Sequence, residues 1–148
     1  LANPNNLEVK NKINDKIKSR DFWMPFAASV PEKYAKKYFF LDSSFESYKY
    51  MTNCVDTTEI GKTKLAAAIH PYDKTCRPHI IKKGDNDGYE NLILEFGKIS
   101  NTYALLNTSF NQHGYPIINT LDQAINILKK SNLDGLILSN CLIYKDAN

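Results

Sequence analysis

Hydrophobic and polar positions alternate along this chain in segments of two periods, one helical and one extended. Leu7, Lys10, Ile13 and Ile17 fall at helical spacing. Asn3 can cap that helix and Pro4 can occupy its first position, with an end near Lys18. The stretch from Asp21 to Ala28 is apolar but broken by Pro25, which predicts a buried loop or a short strand. Pro31 then opens a short amphipathic helix through Tyr34, Lys37 and Tyr38. Tyr48 to Val55 reads as a strand, and Leu65 to His70 is an apolar run that predicts a buried strand. A turn at Pro71 to Lys74 leads to a further extended stretch, Cys76 to Lys82.

After the turn cluster Gly84 to Gly88, Leu92, Ile93, Phe96 and Ile99 predict the inward face of a helix. Tyr103 to Thr108 is a buried strand ending at a polar corner, and Gly114 and Pro116 punctuate the loop beyond it. Thr120-Leu121-Asp122-Gln123 is a capping box for a helix through Ile127 and Leu128, closed by Lys129 and Lys130. Residues 135–138 and 141–144 are short terminal strands. Strands alternating with helices predict an α/β fold with a mixed, twisted sheet.

The 148 residues are the length of one domain, which can bury about 70% of the surface its unfolded chain exposes. No apolar run approaches the roughly 20 residues a bilayer-spanning helix needs, so a membrane role is not expected. The Asn- and Lys-rich beginning does not read as a signal peptide. Cys54, Cys76 and Cys141 form no Cys-x-x-Cys pair, and three free thiols fit a reducing, cytoplasmic setting. A net charge of +3 suits a protein that handles anions but falls short of a nucleic-acid signature. Gly-x-Gly-x-x-Gly and Walker motifs are absent from the sequence.

Charge chemistry narrows the picture further. Of 19 cationic residues only Arg20 and Arg77 are arginine. Lysine serves wherever a solvated charge suffices, so each arginine is either a bidentate anion clamp or a structural ion-pair partner.

Three polar clusters end apolar or extended segments, where α/β proteins place ligand groups. In Lys18-Ser19-Arg20 the two cations share a side if the backbone is extended; otherwise they are the basic last turn of a helix. In His70 to His79 a buried segment delivers His70 to a turn and the chain returns through Thr75 and Arg77. A zinc site from His70, Asp73 and His79 matches no ligand spacing, so no metal is expected here. In Asn107-Thr108-Ser109-Phe110-Asn111, hydroxyls, amides and backbone N–H groups can cradle a phosphate, or simply close an Asx/Ser-type turn.

These residues carry a resemblance. Asn107-Thr108-Ser109-Phe110-Asn111, followed by Gly114-x-Pro116-Ile117-Ile118, resembles the hallmark of the carbamoyltransferase C-terminal domain of nodulation- and antibiotic-type O-carbamoyltransferases. The rest falls in that family's order along essentially the whole chain. Leu1 to Pro4 resembles Leu-Ala-Asp-Pro-Arg. Asn14 to Arg20 with Asp21 and Pro25-Phe26-Ala27 resembles Asn-x-x-x-Lys-x-Arg-Glu and Arg-Pro-Phe-Ala-Pro. His70 to Arg77 resembles His-x-Asp-Gly-Thr-Ala-Arg, and Leu133 to Leu136 resembles Leu-Asp-x-Leu. The chain departs at Asn5 and Met24, where the family has arginine, at Ala28 for proline, and at His79 for glutamine.

The resemblance implies a YrdC-like α/β fold: a twisted mixed sheet with packed helices, one domain over residues 1–148. It implies that this part joins carbamoyl phosphate and ATP, the latter with Mg2+, into carbamoyl adenylate. A Kae1-like N-terminal domain holding its own metal would then pass the carbamoyl group to a hydroxyl acceptor, so the chain is expected to be a fragment of a longer enzyme. By resemblance, Lys18 and Arg20 neutralise phosphate, and Ser109 and Asn111 hydrogen-bond phosphate or the carbamoyl group. Arg77 clamps carbamoyl phosphate, and His70, Thr75, Asn107 and Thr108 line the pocket. The five residues Lys18, Arg20, Arg77, Ser109 and Asn111 are expected to converge on one concave site. The rival expectation is a non-catalytic YrdC-like module that binds an anion, a nucleotide or RNA, with RNA disfavoured by two arginines and a modest charge.

Overall fold

The computed structural model describes residues 1–14, 26–42 and 45–145, which group into two compact units. The first comprises residues 1–10 and 22–108, the second residues 11–21 and 109–148.

The first unit is built on β1 (Ala27–Pro31), every residue of which is buried. Small side chains, Ala27, Ala28 and Ser29, let neighbours close over both of its faces. Parallel to it runs β3 (Thr75–Ile81), with Ala27 opposite Arg77 and Ser29 opposite His79. Antiparallel on its other side runs β4 (Leu105–Asn107), with Ala27 opposite Asn107 and Ser29 opposite Leu105. The short edge strand β2 (Val55–Asp56) pairs antiparallel with β3, giving a mixed sheet in the order β2-β3-β1-β4. The expected α/β class with a mixed sheet and packed helices is therefore observed.

Residues two apart on a strand share a face. Ala28, Val30, Cys76, Pro78, Ile80 and Leu106 make one buried face. Against this sheet pack α2 (Glu32–Tyr38), which follows Pro31 as its proline predicts, and through α2 the helix α3 (Glu59–Lys64). The opposite face carries Thr75, Arg77, His79 and Ile81 from β3, Ser29 from β1, and Leu105 and Asn107 from β4. Ile93 of α4 (Asp87–Ser100) packs on Ile81 and Leu105 at one end of it, flanked by Tyr89 and Phe96.

Several expectations are corrected. Tyr48 to Val55 is not one strand: residues 48–50 end a 3-10 helix, Phe45–Tyr50, residues 51–54 are turn and irregular, and only Val55–Asp56 is strand. Tyr48 and Met51 repeat at three residues rather than two, and Met51 (φ 57°) stops the helix. Leu65 to His70 is the end of α3 followed by a 3-10 turn at Ala66–Ala68, and only Ile69 makes a β-bridge, to Cys76. Three consecutive alanines favour helix over strand, which an apolar run alone does not reveal. On α4, Ile93 is buried but Leu92 is 43% and Ile99 89% exposed. Six residues at about 100° each carry Ile99 off the face that Ile93 occupies. At the amino end α1 (Leu7–Ile13) is capped by Asn6, whose Oδ1 accepts from Glu8 N at 2.9 Å. Asn3 instead closes a turn onto Asn5 N at 3.0 Å. Ile17 and the expected helix end at Lys18 lie outside the described residues.

In the second unit α5 (Leu121–Lys130) packs on a hairpin of β5 (Gly135–Leu138) and β6 (Cys141–Tyr144). Ala124, Leu128 and Leu136 are the core, with Phe110, Ile118 and Ile143 against them. The capping box forms with one shift. Thr120 Oγ1 accepts from Gln123 N at 3.3 Å, while Gln123 Oε1 accepts from Asn119 N at 3.1 Å, one residue before the cap. No described helix is long and apolar enough to cross a membrane.

Burial separates the three cysteines. Cys76 is 1% exposed and its thiol is pushed up to about 12 by desolvation, whereas Cys54 and Cys141 are exposed. Iodoacetamide applied to the native protein at neutral pH is expected to label Cys54 and Cys141 and to spare Cys76. Peptide mass mapping checks this, and labelling of Cys76 at the same rate would contradict the packing of β3.

Candidate functional site

One end of the polar sheet face is defined by strand register. Arg77 of β3 and Asn107 of β4 lie directly opposite Ala27, one on each side of it. Two strand spacings put their backbones roughly 10 Å apart, with only a methyl group between them. A guanidinium and a carboxamide thus stand on either side of the buried Ala27 methyl, on one face of the sheet. Arg77 is half-buried.

Next along the same face is a polar network. Ser29, fully buried, places Oγ 2.8 Å from His79 Nδ1. Asn107 Nδ2 lies 3.3 Å from the same ring nitrogen and 3.8 Å from Met51 Sδ. The Tyr89 ring from α4 sits 6.3 Å from the His79 ring. Met51 follows the 3-10 helix, which packs against β3 and is tied to the turn before α4 by Lys49–Asp85 at 3.1 Å and by Glu46 with Lys82. Those hydrogen-bonded ion pairs hold the Glu46 and Asp85 carboxyls below their ordinary values.

Burial pushes His79 below the ordinary histidine range, against a smaller opposing pull from Asp85. The unfolded chain therefore takes up a proton first as pH falls. The folded state is fully stable above about pH 6.5 and loses stability on acidification from there to its own lower value. His79→Gln is expected to flatten that part of the stability profile. Urea unfolding at pH 7.5 and pH 5.5 checks this; an unchanged slope would refute it.

The remaining expected site residues fall as follows. His70 and Thr75 frame a turn centred on Asp73. Its Oδ1 accepts from Thr75 N at 2.9 Å and Thr75 Oγ1 at 2.8 Å, and lies 3.1 Å from His70 Nδ1. The two hydrogen bonds from Thr75, backbone first, lower the Asp73 carboxyl. Lys74 (φ 62°) takes the left-handed conformation the turn needs. The Thr75 hydroxyl is thus engaged locally, although Thr75 shares a face with Arg77. The Thr108 hydroxyl is buried and has no hydrogen-bond partner among the described residues. In the second unit, Ser109 Oγ donates to Asn111 Oδ1 at 2.6 Å, and Asn111 Nδ2 donates to Tyr115 O at 2.6 Å. Lys18 and Arg20 lie outside the described residues. Among the described residues no three His, Cys, Asp or Glu side chains come together as a metal site would require.

Sequence reasoning missed Ser29, Met51 and Tyr89, and weighed His79 only as a metal ligand and as a departure from the family's glutamine. One signal was available: Ser29 is the single hydroxyl in the run from Phe26 to Pro31, and a buried hydroxyl needs a partner.

The family described as Carbamoyltransferase C-terminus matches residues 1–145. The chain is 34% identical over 145 residues to Nodulation protein NolNO of Sinorhizobium fredii, covering 98% of the chain and 21% of that relative. It is 33% identical over 145 residues to Nodulation protein NolO of Bradyrhizobium diazoefficiens, covering 98% of the chain and 26% of the relative. An uncharacterized protein of Methanocaldococcus jannaschii is 32% identical over 145 residues, with 98% of the chain and 23% of the relative covered. The chain therefore spans about a fifth to a quarter of the length of these curated relatives.

Proposed function

Because this chain belongs to the carbamoyltransferase C-terminus family, we propose that it is the part of an ATP-dependent O-carbamoyltransferase that forms carbamoyl adenylate. The overall chemistry balances as carbamoyl phosphate, ATP and water giving carbamoyl adenylate, pyrophosphate and phosphate. A cytoplasmic enzyme would carry this chain together with a Kae1-like N-terminal domain, where the carbamoyl group meets its hydroxyl acceptor.

The observation that carries the reading is the pairing of Arg77 and Asn107 across Ala27 on one sheet face. Carbamoyl phosphate is a small anion with a planar amide at one end. A bidentate guanidinium answers the phosphate, and a carboxamide answers the amide. The work required is charge neutralisation and positioning, because two anionic substrates must be brought together against their repulsion. Lys18, Arg20, Ser109 and Asn111 enter this reading through the family resemblance, as groups for the phosphates; Mg2+ would come with the ATP.

Calorimetric titration of the chain with carbamoyl phosphate tests the reading. Saturable binding that weakens in Arg77→Lys is expected. Absence of binding, together with RNA retention on filters that falls steeply as salt rises, would replace it with a nucleic-acid-binding module.

A further inference from the structure

The carboxamide of Asn107 has two ends, a donor and an acceptor, and its surroundings decide which one is turned away from His79, toward the side of Arg77. A thioether sulfur offers no proton and can only accept. Met51 Sδ, 3.8 Å from Asn107 Nδ2, therefore fixes the nitrogen end on the inner side. The second hydrogen of that amide is then directed at His79 Nδ1, 3.3 Å away, so this ring nitrogen must itself be the acceptor. The Ser29 hydroxyl, 2.8 Å from the same atom, can then donate to it as well. An accepting Nδ1 is that of the neutral ring that carries its proton on Nε2. Asn107 Oδ1 makes no hydrogen bond among the described residues, which leaves it available as an acceptor.

We propose that His79 is a positioning residue: its unprotonated Nδ1 holds the Asn107 carboxamide with Oδ1 outward, so that the face beside Arg77 selects an anion bearing an N–H donor. A carbamoyl group carries that donor, and an acetyl group of nearly the same shape does not. Only the identity of the donor rests on the carbamoyl-phosphate reading; the orientation of Asn107 does not.

The device is sensitive to protonation. A proton on Nδ1 turns the acceptor into a donor facing the amide N–H. The carboxamide must then turn end for end, presenting its NH2 instead of its oxygen. The groups around His79 are these: Ser29 of β1 opposite it is neutral, Arg77 lies on the same face of β3, and Tyr89 of α4 has its ring 6.3 Å from the imidazole. Asp85, before α4, favours the charged ring, but burial outweighs it and the neutral form prevails at neutral pH.

Two measurements on the chain test the proposal. Long-range proton–nitrogen NMR spectra at pH 7 are expected to show His79 as the Nε2–H form. On acidification the Asn107 side-chain amide pair, assigned by its loss in Asn107→Asp, should shift with the same midpoint as the His79 ring. An Nδ1–H ring, or an Asn107 pair indifferent to His79 titration, overturns the proposal. In the second measurement, carbamoyl phosphate and acetyl phosphate are titrated separately. A preference for the carbamoyl compound on the order of tenfold at pH 7.5 is expected from one added hydrogen bond. It should vanish on acidification, disappear in His79→Leu and persist without pH dependence in His79→Gln, whose side-chain oxygen can accept in place of Nδ1. Equal affinity for both phosphates in the wild type at pH 7.5, or loss of the preference in folded His79→Gln, also overturns the proposal. If neither phosphate binds the wild type, the carbamoyl reading falls, and the NMR result alone decides whether His79 orients Asn107.

Discussion

Arg77→Lys is expected to slow carbamoyl-adenylate formation in the full-length enzyme on the order of tenfold to a hundredfold while leaving the melting temperature almost unchanged. The substitution keeps the charge and loses the planar fork. A charge-assisted hydrogen bond contributes about 1.5–3 kcal/mol, and each 1.36 kcal/mol is about tenfold in rate. Arg77 belongs to the half-exposed face of β3, while the buried face of that strand is carried by Cys76, Pro78 and Ile80. A role as a structural ion-pair partner predicts the reverse pattern. A variant that melts lower but turns over normally per folded molecule would remove Arg77 from the site.

Gly61→Ala is expected to destabilise the first unit strongly. In the middle of an exposed helix this change stabilises by about 1 kcal/mol, because alanine is the better helix former. Here the new Cβ would stand 2.2 Å from the Tyr38 backbone oxygen and 3.3 Å from Thr57 Cβ. That oxygen cannot move aside cheaply, since it accepts from Thr58 N at 3.0 Å where α2 meets α3. Overpacking of this kind costs about 1–3 kcal/mol, and more where the backbone must shift. The melting temperature should fall by about 2–12 °C. Gly88→Ala is the control, because its Cβ would find nothing closer than Asn86 Oδ1 at 3.8 Å. Differential scanning calorimetry of the pair gives the comparison, and equal melting temperatures would contradict the α2–α3 contact.

How far the sequence alone reached depends on whether the signal was local. The capping box at Thr120, the proline opening α2 and the two short strands at residues 135–138 and 141–144 are each announced by neighbouring residues, and each is observed. Leu65 to His70 misleads because an apolar run states burial without stating period, and Ala66–Ala68 turn it helical. The same distinction divides the site. Arg77 and Asn107 stand out as polar groups on otherwise apolar strands. Their relation to each other, and the Ser29–His79–Asn107 network, come from the register of β1 with β3 and β4, which joins residues 50 and 28 positions apart. No short-range pattern encodes that register. Met51 is further removed, since its place follows from a 3-10 helix read as strand.

The most direct test follows the fate of the carbamoyl group. The full-length enzyme is incubated with carbamoyl-labelled carbamoyl phosphate and ATP in the absence of acceptor, and the nucleotides are separated rapidly. The account predicts label on an AMP derivative, with pyrophosphate released in equal amount and both lost in Arg77→Lys. Label that reaches an added hydroxyl acceptor without ATP, with no pyrophosphate formed, would contradict it.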